Sequence, residues 1–283
     1  MAYGIITQDR LKDKLFQRRI LAEILLDAQK SGSLADPAIT KNIQFTGLHA
    51  RIPMMGTINI EEDLDEFEAT GVQTAPFSST DMDLLKDRFK IGISDESTIE
   101  ANGNAVFEMQ RSAGVDALRA TMDRKIATNL AITPQTASWD ISEENIAITA
   151  IPSVISKLSP YTITGVAMNG ATYAKTMGLM SSISLKSGVS YVQPDGTMNG
   201  AILGLPQAKI ILSENLANDK IYAVSNQVPG VVAAVHQTPK IREYDDPKAG
   251  ATILQYDVWR GVKSNIKQTS DSKNAGVVEI SLV

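Results

Sequence analysis

Residues 94–131, SDESTIEANGNAVFEMQRSAGVDALRATMDRKIATNLA, hold the longest helical pattern in the chain. Ser97 and Glu100 stand in capping-box spacing, which lets each side chain satisfy a backbone N–H that the first helical turn leaves open. At about 1.5 Å of rise per residue the segment could extend for nearly 60 Å. Its apolar stripe changes sides. Ile99, Val106, Met109, Ala113 and Ala117 share one face, whereas Val115, Leu118, Met122, Ile126 and Leu130 lie on roughly the opposite one. The switch falls near Gly114, so either the helix breaks there or one long helix is buried on different sides by different neighbours. The second reading is preferred, with Gly103 and Gly114 lowering the cost of a bend.

Upstream, the composition changes over Thr46 to Lys90. An apolar, extended ARIPMMGTINI leads into EEDLDEFEATG and then into a stretch rich in Pro, Ser and Thr around Pro76. This predicts a long two-stranded excursion with an acidic middle. In residues 51–85 Arg51 stands against eight acids, a net of -7, while the whole chain is -5 and the remainder therefore +2. Residues 8–30 read as an amphipathic helix through Leu11, Leu15, Ala22, Leu25 and Leu26, with Thr7 as N-cap. Residues 1–30 carry a net of only +2, too little for a nucleic-acid patch.

Downstream of Pro134 the texture is mixed. IAITAI (146–151) reads as a strand, followed by a short helix ending near Leu158 and a strand TITGVAM (162–168). Asn169 then caps a helix to Met180. Pro194, Asp195 and Gly196 mark a hairpin turn. KIIL, KIYAVS and GVVEISLV read as strands, and Leu254, Tyr256 and Val258 share one face of another.

Composition removes many function classes. With 283 residues and 43% hydrophobic content the chain can bury a real core. A net charge of -5 does not fit a basic nucleic-acid coat. There is no cysteine, and the two histidines, His49 and His236, lie far apart and in no ligand spacing. No phosphate-cradling glycine motif or nucleophile elbow occurs. The acidic run 61–68 lacks the glycine turn and closing glutamate of an EF-hand loop. The expectation is a protein that is not an enzyme, with no catalytic, cofactor or metal site. The start of the chain has no apolar h-region, and no run approaches the roughly 20 residues that span a bilayer, so a soluble protein made in the cytoplasm is expected.

Three stretches carry a family resemblance: FKIGISDEST (89–98), VAMNGATYAKTMGL (166–179) and REYDDPKAGATILQYDVWRGVKS (242–264). ILGLPQAKIILSENL (202–216) adds a weaker one. In their order and spacing they resemble the major capsid protein of tailed viruses, bacteriophage or archaeal, with the Hong Kong 97-like fold. Ser94, Asp95 and Glu96 match the entry into the family's spine helix. Met168, Asn169, Tyr173 and Leu179 match the opening of its axial domain. Tyr244, Asp246, Pro247, Gly250, Arg260, Gly261 and Val262 match its closing segment.

The resemblance implies an α+β fold with an N-terminal arm (1–42), an extended β loop (43–92), a peripheral domain (93–149 and 239–283) holding the long spine helix, and an axial domain (150–238). It implies a structural protein that self-assembles as hexamers and pentamers into an icosahedral or prolate shell around a double-stranded DNA genome. The implied partners are further copies of the chain, a portal, a separate scaffolding protein, and DNA through weak non-specific contact, with no membrane. The implied location is the virion capsid, after synthesis in the host cytoplasm. The alternative is an encapsulin-type nanocompartment, which shares the fold and encloses cargo protein.

Charge adds an interface expectation. An acidic loop repeated in every copy would repel itself, so Glu61, Glu62, Asp63, Asp65, Glu66 and Glu68 should meet cations of an adjoining subunit. The candidates are Arg111, Arg119, Arg124 and Lys125 on the long helix, and Arg260, Lys263 and Lys267 near the closing strand. Some shells of the family are locked by an isopeptide bond from a loop lysine to an asparagine. Gly47 to Leu85 contains no lysine, so non-covalent contacts are expected here.

Overall fold

The computed structural model describes residues 33–55, 77–94, 103–139, 146–176, 208–236, 240–246, 251–264 and 266–283. The expected helix over 8–30, the acidic run 61–68, the Ser94-to-Glu100 helix entry beyond residue 94 and the 191–198 hairpin lie outside them.

Strand β11 (Ala251–Ser264) is the axis of the first sheet. Its first half is hydrogen-bonded to β10 (Lys240–Asp246) on one side and to β4 (Leu85–Ser94) on the other, both antiparallel. Its second half pairs with β9 (Val231–His236), which in turn takes β1 (Lys41–Phe45) in parallel. One face of β11 is buried through Leu254, Tyr256 and Val258, as the alternation predicts. The face between them is buried too, at Gln255 and Asp257.

The long helix is present and unbroken as α1 (Gly103–Leu130). Leu118, Met122, Ile126 and Leu130 are buried, which is the stripe expected of its second half. Met109, on the other stripe, is 73% exposed, and Ala113 and Ala117 are exposed with it. The role of Gly114 is contact. A Cβ there would stand 3.0 Å from the Phe89 ring, so the missing side chain lets β4 lie close against the helix.

A second sheet has the order β5 (Pro134–Trp139), β12 (Asn274–Leu282), β8 (Lys220–Val224), β6 (Gly165–Met168) and β7 (Lys209–Leu212). The β5–β12 and β6–β7 pairs are parallel. Helix α2 (Ile146–Leu158) covers one face, where Val154 and Leu158 join Trp139, Ile163, Val166, Met168, Ile221 and Val278 in a core. The strand expected at 146–151 is therefore helix. Its run of apolar and β-branched residues mimics a buried strand, but it continues in helical register into Val154 and Leu158, four residues apart on one face. Asn169 is the N-cap expected: its side-chain oxygen accepts from the Ala171 N–H at 2.8 Å, and residues 170–176 are helical.

The other face of this sheet shares a core with the first sheet and α1. Ala167, Ile211, Tyr222, Val224 and Val277 pack with Val231 and Ala233 of β9 and with Met122, Ile126 and Leu130. The sheets touch backbone to backbone at Gly230 and Gly276. A Cβ on Gly230 would overlap β12 and one on Gly276 would overlap the turn that leads into β9, and the Asn274 side chain donates to the Gly230 carbonyl at 2.8 Å.

The two-stranded excursion consists of β2 (His49–Met55) and β3 (Phe77–Asp83), paired antiparallel. Its root packs Ala50, Ile52, Met82 and Leu84 on Val232, Ala234 and Ile266. Strand β4, which the sequence reading attached to the loop, belongs to the main sheet.

Ile126 is fully buried at the junction of α1 and both sheets. Ile126→Ala should cost about 2–5 kcal/mol, read as a lower midpoint in urea unfolding with an unchanged slope.

Candidate assembly interface

Strand β4 reads KDRFKI over residues 86–91 and alternates strictly, so its two faces have different chemistry. Asp87, Phe89 and Ile91 turn toward α1. The Phe89 ring stacks on Tyr256 with centroids 4.6 Å apart. Asp87 accepts from Lys125 at 2.9 and 3.0 Å, and its Oδ2 also lies 2.9 Å from Arg260 Nε and 2.7 Å from Nη2. Arg260, 4% exposed, completes the tie by donating from Nη1 to the Leu118 carbonyl at 2.9 Å. One carboxylate thus joins β4, α1 and β11.

The opposite face is cationic. Register places Lys86, Arg88 and Lys90 of β4 beside Trp259, Asp257 and Gln255 of β11, with Lys240 and Arg242 of β10 completing the same rows. All five cations are exposed. Asp257, wholly buried beneath them, lies 2.9 Å from Lys86 Nζ and 2.7 Å from Arg88 Nε. Lys86 and Lys240 both lie 5.7 Å from the centroid of the Trp259 ring, and Lys90 lies 5.5 Å from that of Tyr244. The hairpin root covers the β9 end of this face and leaves the β4–β10 end open.

These positions revise the expected interface. The six acids of 61–68 lie outside the described residues. Arg260 is not a docking cation, because it is buried and spent on Asp87 and Leu118. Lys125 is likewise engaged by Asp87. Lys267 is exposed, but its Nζ lies 3.0 Å from the Tyr161 hydroxyl and over its ring. Arg111 lies on α1, Arg119 is half-buried near Asp123, and Arg124 and Lys263 are exposed. The sequence reading missed Lys86, Arg88, Lys90, Lys240 and Arg242. The alternation at 86–91 was the available signal, but only the pairing of β4 and β10 with β11 turns two short segments into one surface.

Two buried carboxyls are shifted in opposite directions. Burial alone raises the Asp257 carboxyl, but the hydrogen bonds and charges of Arg88 and Lys86 outweigh it and hold it at about 2. Asp123 is pushed above the usual carboxylate range, chiefly by burial, against the hydrogen bonds from Ser33 Oγ at 2.5 Å and the Leu34 N–H at 3.0 Å. Among the described residues no group of three or more acids or histidines could hold a metal, and no helix is long and apolar enough to cross a membrane.

No protein-family model matches the chain, and no curated protein sequence matches it. Solved structures do. A chain of the capsid of cyanophage P-SCSP1u matches with TM-score 0.57 and 12% identity, over 90% of this chain and 89% of that one. A chain from Mycobacterium phage Che8 matches with TM-score 0.57 and 17% identity, over 83% and 84%. The chain has a capsid-protein fold. A chain of the virus-like particle from Pyrococcus furiosus shares this capsid fold at TM-score 0.57 and 12% identity, over 93% and 98%. Likeness at such low identity lies in the path of the backbone.

Asp87→Ala should destabilise the subunit by about 3–5 kcal/mol, because it leaves the buried Arg260 uncompensated. Asp87→Leu with Arg260→Met should cost less than Asp87→Ala alone, as measured by denaturant unfolding. Acid dependence follows from Asp257. A carboxyl lowered in the folded state contributes stability that is complete above its unfolded value near 4 and is lost as pH falls through about 2. Melting temperature should fall across that window, and Asp257→Asn should flatten the fall.

Proposed function

We propose that the protein is the major capsid protein of a tailed virus and builds the shell that encloses its double-stranded DNA. The observation that carries this reading is the capsid fold shared over about nine-tenths of both chains with the cyanophage capsid protein. A second observation supports it. The first half of α1 leaves Met109 73% exposed, and Leu85 on β4 is 65% exposed, apolar surface that assembly would cover.

In the finer reading the fold is of the Hong Kong 97 type, with α1 as the spine helix and β2–β3 as the base of the extended loop. The peripheral part is 93–149 with 239–283, and the axial part is 150–238. The strands β5 and β12 of the former and β6, β7 and β8 of the latter form one sheet, so the two parts would move as one body. The role is structural, without catalysis. Copies of the chain are the main partners, arranged as hexamers and pentamers, with portal, scaffolding protein and DNA as further ones. A compartment for cargo protein uses the same fold, and the contents of purified particles separate the two.

Sedimentation and electron microscopy of the purified protein test the reading. Closed particles that dissociate to single 30.5 kDa chains on denaturing gels are expected. A compact monomer at every concentration would overturn the assembly, and a ladder of higher bands would overturn the non-covalent contacts.

A further inference from the structure

From the charge and register of the main sheet we infer that its open β4–β10 face is the docking surface for residues 61–68 of a second copy of this chain. The inference rests on the shell reading above and names the contact within it. Lys90, Lys240 and Arg242 are exposed on adjacent rows of this face, and no carboxylate among the described residues pairs with any of them. Lys86 and Arg88 add positive charge at its centre, although Asp257 already neutralises one of the two.

The occupant follows from complementarity. Six of the eight residues in EEDLDEFE are acids, and no lysine or arginine interrupts them. The two exceptions, Leu64 and Phe67, suit a surface that also offers the half-buried Trp259 and the exposed Tyr244. Such a segment in an extended form places carboxylates on both sides of its backbone at spacings of about 3.3 Å per residue, and the cations of β4 and β10 stand on either side of β11, two strand spacings of about 4.8 Å each apart. A polyanion such as DNA is the competing occupant. The apolar pair within the acidic run and the aromatic rings on the face favour the protein segment. Each exposed pair contributes little, so the contact selects neighbour and register and does not hold the monomer together.

The experiment is a charge reversal with rescue, with particle yield read by sedimentation at several salt concentrations. The triple variant Lys90→Glu, Lys240→Glu, Arg242→Glu spares the two partners of Asp257, and its melting temperature shows whether the subunit still folds. If it does not fold, Arg242→Glu alone takes its place. The variant should lose about tenfold in assembly yield. Reversal of Glu61, Glu62, Asp63, Asp65, Glu66 and Glu68 to lysine in the same chain should restore it.

The absence of native cysteine gives a second readout. Glu66→Cys with Arg242→Cys should yield inter-chain disulfide ladders on non-reducing gels, where either single variant does not. Normal assembly and salt dependence of the triple variant would overturn the inference while leaving the shell reading intact. So would normal assembly with loss of packaged nucleic acid, which would assign the face to DNA. Failure of the unaltered protein to form particles would overturn both.

Discussion

Strand β4 has to satisfy two neighbours at once, and the rest of the subunit depends on how it does so. It is hydrogen-bonded along its length to β11, and its side chains leave in opposite directions. On one side Asp87 pairs with Lys125 of the long helix, the Phe89 ring lies against Gly114 of that helix and stacks on Tyr256 of β11, and Ile91 is buried. On the other side Lys86, Arg88 and Lys90 cannot be buried, so the sheet must stay open there. A strand that is core on one face and cationic on the other gives the sheet an inner surface, closed by the helix, and an outer one whose β4–β10 end is exposed.

Energies of different size act on the two surfaces. The inner side combines burial of large side chains with Arg260, a charge that costs several kcal/mol if left alone, and it decides whether the subunit folds. The outer side works through exposed pairs of about 0.2–1 kcal/mol each, screened within a Debye length of about 10 Å at 0.1 M salt. Such terms are negligible in one copy and accumulate in a shell, where the same contact recurs at every subunit. Subunits of this kind can therefore be stable before assembly and still choose their neighbours by charge.

The sequence was legible where periodicity is local. The unbroken long helix with the buried stripe of its second half, the cap at Asn169, and the buried row Leu254, Tyr256 and Val258 could be read from spacing, whereas the stripe through Met109, Ala113 and Ala117, expected to be buried by a neighbour, is exposed in the subunit. It misled at residues 146–151, where β-branched residues in an apolar run fit a buried strand and a buried helix equally well. Of the proposed interface, the sequence offered only the acidic run. The six acids fall within eight residues, whereas their proposed partners come from residues 86–90 and 240–242, 150 or more positions apart, and meet only through β11. Arg260 looked like surface because arginine usually is, and nothing in the local sequence announces that Asp87 and the Leu118 carbonyl take it inside.

The most direct measurement is a reconstruction of the assembled particle by electron cryomicroscopy at a resolution that shows side chains. The account predicts a closed shell in which residues 61–68 of each subunit cross the β4–β10 face of a neighbour, with carboxylates against Lys90, Lys240 and Arg242. A shell in which that face points to the enclosed volume with no neighbouring chain on it, or in which the acidic segment lies against its own subunit, would contradict it.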